Sequence, residues 1–257
     1  MPRFAANLTM MFNEWSFLDR FAAAADAGFD AVEFLFPYDF TPDDVAERLL
    51  RHKLTPALFN GPPGDWDKGE RGFAARPERR AAFEASIDKA LVYVTATGVK
   101  RLHVMAGIAP SQDPAAMAAY ESALLFASDR AQQADIDIVI EPINPRDVPG
   151  YFLNNFDVAA NVVRRLARPN VKLQFDIYHR QIIHGDVIRG LEAMMPIIGH
   201  IQVASVPERH EPCSGELDDA RVFGVLDRLG YAGFVGCEYR PAGKTLDGLG
   251  WFPGRRG

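Results

Sequence analysis

The amino-acid sequence predicts an α/β fold, a single (β/α)8 TIM barrel spanning residues 1–257. Three observations predict it. Eight short β-rich runs alternate with longer runs of helical period from one end to the other. The length matches the roughly 250 residues such a barrel needs. The rival architecture, an open doubly wound sheet, often carries a glycine-rich dinucleotide fingerprint after its first strand. Here that position reads Ala5-Ala6-Asn7-Leu8-Thr9-Met10-Met11.

The expected strands are residues 3–8, 31–36, 54–60, 100–106, 136–141, 171–176, 200–204 and 234–238. After the first, Phe17, Phe21 and Ala24 recur at helical spacing behind Ser16, and Gly28 supplies a stop. Thr41-Pro42-Asp43-Asp44 combines an N-cap, a first-turn proline and acids at the positive end of a helix. Phe83, Ile87, Leu91 and Val94 form one helical face that ends near Gly98. Asp113-Pro114 opens the next, with Met117, Glu121, Leu124, Ala127 and Ala131. Val158, Val162 and Leu166 mark a fifth helix, Val187, Leu191 and Met194 a sixth, and Val222, Leu226 and Leu229 a seventh. These apolar stripes face the core and carry no chemistry.

Composition narrows the function. The net charge is −6 and basic residues form no dense patch, which makes nucleic acid an unexpected partner. Two cysteines, Cys213 and Cys237, are too few for a disulfide scaffold and lack metal-site spacing, so a reducing compartment is expected. With no secretory signal and no apolar run of the ~20 residues that span a bilayer, the expected location is cytoplasmic, off the membrane. A homo-oligomer is compatible with the sequence, which does not fix oligomeric state.

Four strands in the second half end on residues that can hold a metal or move a proton: Glu141, Asp176, Gln202 and Glu238. Their separations of 35, 26 and 36 residues are each about one strand–helix repeat. Strand side chains alternate between faces. Ile138, Phe175, Ile201 and Cys237 fall on outward faces, so the four candidates share the interior. Singly, a strand-end carboxylate is more often a helix cap or ion-pair partner. Three facing one another cannot all ionise cheaply, and a divalent cation relieves the conflict. Three carboxylates with an amide oxygen make a hard set suited to Mg²⁺ or Mn²⁺. His179, Arg209, His103 and Asn60 are further candidates for binding a small anionic substrate, Arg209 being well shaped for a carboxylate. For His103, and for Glu33 on the second strand, a structural role has equal standing.

Two loops belong at the C-terminal mouth. Residues 61–72, with Asp65-Trp66 at the tip, have the length and polarity of a lid. Residues 206–212 follow the seventh strand.

The chain resembles the hydroxypyruvate isomerase family of the xylose-isomerase-like TIM barrels along nearly its whole length. The resemblance is carried by Arg3-Phe4-Ala5-Ala6-Asn7-Leu8, Gly28-Phe29-Asp30-Ala31-Val32-Glu33-Phe34, Gly69-Glu70-Arg71-Gly72 and Glu141-Pro142-Ile143-Asn144. Asp176-Ile177-Tyr178-His179, Gly199-His200-Ile201-Gln202, Arg209-His210-Glu211-Pro212 and Gly236-Cys237-Glu238-Tyr239-Arg240-Pro241 complete it. It extends to the related 2-oxo-tetronate isomerases. The resemblance implies catalytic glutamates at Glu141 and Glu238 and a metal position lined by Glu141, Asp176, Gln202 and Glu238. It implies isomerisation of a small 2-keto-3-hydroxy acid through an enediolate, hydroxypyruvate to tartronate semialdehyde first and 2-oxo-tetronate as the alternative. Further alternatives are a ketose 3-epimerase, an inosose-type dehydratase, a DNA-repair endonuclease of the same superfamily and a non-catalytic ligand-binding barrel.

Overall fold

The computed structural model describes residues 1–254. Eight parallel strands close into a barrel in chain order. They are β1 (Arg3–Asn7), β2 (Ala31–Phe34), β3 (Thr55–Asn60), β4 (Arg101–His103), β5 (Asp137–Ile140), β6 (Val171–Asp176), β7 (Ile198–Gln202) and β8 (Phe234–Cys237). Closure comes from β1, which pairs with β2 at Ala6↔Val32 and with β8 at Ala6↔Cys237. All eight expected strands are present, most of them shorter than expected at one end or both.

Helices α1 (Arg20–Asp26), α2 (Pro42–His52), α3 (Arg80–Thr97), α4 (Pro114–Gln133) and α5 (Phe156–Leu166) follow β1 to β5 in turn. Thr41 caps α2 through a reciprocal capping box with Asp44, Asp113 caps α4, and Gly98 ends α3 in the left-handed conformation that glycine adopts without strain. After β6 there are two helices where one was expected, α6 (Ile177–Ile183) and α7 (Val187–Met194), and α8 (Asp219–Arg228) follows β7. The extra helix α6 begins directly on the last strand residue, with Asp176 as its N-cap.

Outward strand residues pack on the helices, as Phe175 does on Phe156 with ring centroids 5.1 Å apart. Inside, the barrel changes character along its axis. Its N-terminal floor is closed by small residues, Ala5, Ala31 and Ala57. Above them the interior is polar. Register shifts sit next to two of its polar residues, between Val32 and Glu33 and between Leu173 and Gln174, where one strand carries an extra residue.

Candidate active site

The eight site residues expected from sequence converge at the C-terminal mouth. Asn60, His103, Glu141, His179, Arg209 and Glu238 line one cavity of about 500 Å³. Asp176 and Gln202 lie fully buried beneath it. A larger opening of about 640 Å³ adjoins it across Met10, Leu35, Trp66 and Arg240 but is lined by none of the eight.

Asp176 has two tasks. Its Oδ1 accepts the Tyr178 N–H at 2.8 Å, capping α6, while Oδ2 has no hydrogen-bond partner. One turn along α6, His179 returns over it, Nε2 standing 3.6 Å from Oδ2 and 3.9 Å from Glu141 Oε1. Asn144 sets the ring. Its Oδ1 accepts from the backbone N–H groups of Arg146 and Asp147, which turns its amide NH2 toward His179 Nδ1 at 2.7 Å. Nδ1 is therefore the acceptor, and Nε2 carries the proton toward the two carboxylates. Burial, with Arg209 adding to it, holds the imidazole neutral by pushing its pKa well below the ordinary value.

Glu141 stands just past β5 with Oε1 unpartnered and Oε2 3.7 Å from His103 Nδ1. Burial raises its pKa well above the usual carboxylate range, and Glu238 and Asp176 add to the rise. Glu238, just past β8, accepts from Arg209 Nη2 at 2.7 Å and from Gln202 Nε2. Burial pushes it up to about 8 against the pull of Arg209. His103 has no partner on either ring nitrogen, and burial followed by His200 lowers its pKa to about 3. Asn60 Oδ1 is likewise unpartnered.

Two placements differ from expectation. Gln202 was to offer its amide oxygen to a cation. That oxygen instead accepts from Gln174 Nε2 at 2.6 Å, and the amide nitrogen donates to Glu33 Oε1 at 2.8 Å and to Glu238. A nitrogen facing two carboxylates is the orientation they favour. Among the described residues, the one group of three acidic, histidine or cysteine donors lying within 4.8 Å of one another is Glu141, Asp176 and His179. The second difference concerns Arg209. Nη1 lies 2.9 Å from Asp147 Oδ2, Nη2 pairs with Glu238, and Asp176 is 3.8 Å away. Its charge is already matched by carboxylates of the protein.

Glu33 proves structural. Asn7 Nδ2 at 2.9 Å and Gln202 Nε2 at 2.8 Å bond its Oε1, and His200 Nε2 lies 2.7 Å from its Oε2. Gly236 makes room for it, since a Cβ there would fall inside contact distance of the Glu33 carboxylate.

The loop of residues 61–72 covers one side of the mouth and braces itself. Lys68 pairs with Asp65 at 2.7 Å, and Glu70 accepts the Asp65 N–H at 2.7 Å and bonds Arg79. Gly72 is needed where the loop meets β4, because a Cβ would strike the Met105 backbone at a φ of +108°. Residues of the cavity wall that sequence reasoning did not single out include Arg71, Arg146, Asp147 and Arg240. Arg146 and Asp147 follow Glu141-Pro142-Ile143-Asn144, and Arg240 stands two residues beyond Glu238; that proximity was the available signal.

The family model for the xylose isomerase-like TIM barrel matches residues 21–254. The 2-oxo-tetronate isomerase of Cupriavidus necator is 53% identical over 98% of this chain and 97% of its own length. The hydroxypyruvate isomerase of Escherichia coli is 38% identical over 98% of each chain. A crystal structure from Brucella melitensis, described as an AP endonuclease of family 2, is 49% identical, covers both chains completely and superposes with a TM-score of 0.97.

Proposed function

This chain belongs to the xylose isomerase-like TIM barrel family and is an isomerase related over its full length to hydroxypyruvate and 2-oxo-tetronate isomerases, and within that class we propose that it moves a proton between C3 and C2 of a four-carbon 2-keto-3-hydroxy acid. The observation that carries the reading is the pair Glu141 and Glu238, buried just past β5 and β8 and lining one cavity, each with its pKa raised by burial. Carboxyls tuned upward in this way are suited to proton exchange with carbon near neutral pH.

In the forward direction one glutamate removes the proton from C3, giving an enediolate over C2 and C3, and the other delivers a proton to C2. The hydroxyl proton moves from O3 to O2, so a 2-keto-3-hydroxy acid becomes a 3-keto-2-hydroxy acid with no net change of atoms. His179, neutral and presenting Nε2–H, donates to an oxygen of the enediolate. Arg209 holds Glu238 in place. The loop of residues 61–72 limits water at the intermediate. Two unpartnered carboxylate oxygens, on Glu141 and Asp176, beside His179 suit a divalent cation such as Mg²⁺ or Mn²⁺. Glu141 and Asp176 would hold it, with Glu238 near by, while His179 keeps its Nε2–H for an oxygen of the substrate. When bound, such an ion polarises the carbonyl and stabilises developing oxyanion charge.

Sequence alone put hydroxypyruvate first. The 53% identity with a 2-oxo-tetronate isomerase, against 38% with a hydroxypyruvate isomerase, supports the reverse order. The three-carbon acid remains the second reading because the same proton transfer applies to it. The acidic net charge and the small cavity favour a small-molecule substrate over DNA. The test is turnover of 2-oxo-tetronate, hydroxypyruvate and a ketohexose, each with and without EDTA, followed by deuterium incorporation from D₂O. Preferred turnover of the four-carbon acid with solvent deuterium at C2 is expected; turnover of the ketohexose alone would sink the reading.

A further inference from the structure

We infer that the substrate carboxylate docks on Arg71, in the loop over the mouth, and that Arg209 serves the protein's own carboxylates. The inference rests on the keto-acid reading above and adds to it the residue that reads the acid group. Arg209 is the arginine nearest the glutamates, yet Glu238 and Asp147 are bonded to it and Asp176 stands 3.8 Å away. A substrate carboxylate brought to the same guanidinium would add a fourth negative group to a buried cluster, which costs more than one shared cation returns.

Arg71 is in the opposite condition. Its Nη1 donates to the carbonyls of Trp66 and Glu70, each at 2.8 Å, and its guanidinium lies 3.6 Å from the centre of the Trp66 ring. The Glu70 carboxylate is taken by Arg79 and by the Asp65 N–H. Among the described residues no carboxylate comes within ion-pair distance of Arg71, and its remaining nitrogens are uncommitted. The side chain is thus fixed in advance, half-buried and unneutralised, so little rotamer entropy is lost when a carboxylate docks. Arg146 and Arg240 also line the cavity but are exposed and held by no side-chain hydrogen bond, and solvent weakens such charges.

Position supports the assignment. Arg71 follows β3 and shares its side of the mouth with Asn60 and His103, two neutral groups, while Asp147, Asp176, Arg209 and Glu238 occupy the other side. An acid lying between Glu141 and Glu238 with its carboxylate toward β3 meets an unpaired cation. Turned the other way it meets paired ones.

The experiment compares wild type with Arg71→Met and Arg71→Lys on three ligands. These are the preferred keto acid, the inert hydroxy-diacid tartronate, and 1,3-dihydroxyacetone, which has the carbonyl and neighbouring hydroxyl but no carboxylate. Arg71→Met is expected to raise KM for the keto acid and Kd for tartronate by about 10- to 100-fold, with kcat changed less than KM. Arg71→Lys should recover part of the loss. Deuterium exchange into dihydroxyacetone should stay within about threefold of wild type, whereas a merely collapsed loop would depress all three. Unchanged KM and tartronate Kd in Arg71→Met, or equal loss on dihydroxyacetone, would overturn the assignment. Wild type inactive on both keto acids would instead defeat the substrate class, and calorimetric tartronate binding would still decide the role of Arg71.

Discussion

Glu33 on β2 and Glu141 past β5 are both buried in the barrel, yet three side chains serve the two oxygens of Glu33 and one oxygen of Glu141 has no partner at all. The Glu33 carboxylate is fully served, with Asn7, His200 and Gln202 converging on its two oxygens. The layer above, Glu141 with Asp176, leaves acceptors unfilled. A buried polar group without a partner costs free energy unless something arrives to satisfy it. The difference separates groups that finish the fold from groups that await a ligand.

The sharpest way to break this comparison is to neutralise members of each layer. Glu141→Gln and Glu238→Gln should each lower kcat by about 10²–10⁴-fold while leaving thermal stability equal or higher, since an amide removes like-charge strain. Activity and melting temperature measured together would check both halves. Glu33→Ala should behave oppositely, destabilising the fold by about 3–5 kcal/mol in urea titration because its donors lose their acceptor. A Glu33→Ala protein of unchanged stability would erase the distinction between the layers. Gly236→Ala, which pushes a methyl against the pinned Glu33 carboxylate, should cost about 1–3 kcal/mol, with activity falling as Gln202 and Glu238 are displaced.

Asp219, the first residue of α8, offers the mildest control. Its Oδ2 accepts the Cys213 N–H at 2.6 Å and its Oδ1 is unpartnered, so it is half-satisfied without being in the cavity. Burial raises its pKa to about 6, against roughly 3.9 in an unfolded chain. The folded state holds the proton more tightly. The stabilisation is therefore complete below the unfolded value and is lost as pH rises through about 6. Asp219→Asn should gain on wild type by at most about 3 kcal/mol between pH 4 and 7, read by thermal melts, with no change in KM.

The sequence carried the barrel because alternation and period are local. It also carried the strand-end residues, because their parity follows from chemistry two residues either side. Asp176 shows the limit of reading by alternatives: helix cap and site carboxylate are not exclusive, since one oxygen caps α6 and the other is left without a partner beneath the cavity. Helix α6 was hidden because seven residues that begin on a strand's last position leave no loop to announce them. The Gln202 orientation depends on Glu33, 169 positions away, and on Gln174 across β6–β7, which no local pattern reports. Nor does sequence tell which arginine already has a carboxylate. That is why Arg209 looked free and Arg71 looked like loop.

The self-bracing of residues 61–72 bears on descent. The tip of this segment can be exchanged as a cassette so long as its anchors are kept, Gly61 on the His103 carbonyl, Gly72 against Met105 and Glu70 on Arg79. The glutamates on β5 and β8 belong to the barrel, and Arg71 belongs to the cassette. Selection can then change which acid is admitted while the proton chemistry passes unaltered from ancestor to descendant, because reaction and substrate range are inherited on separate stretches of the same chain.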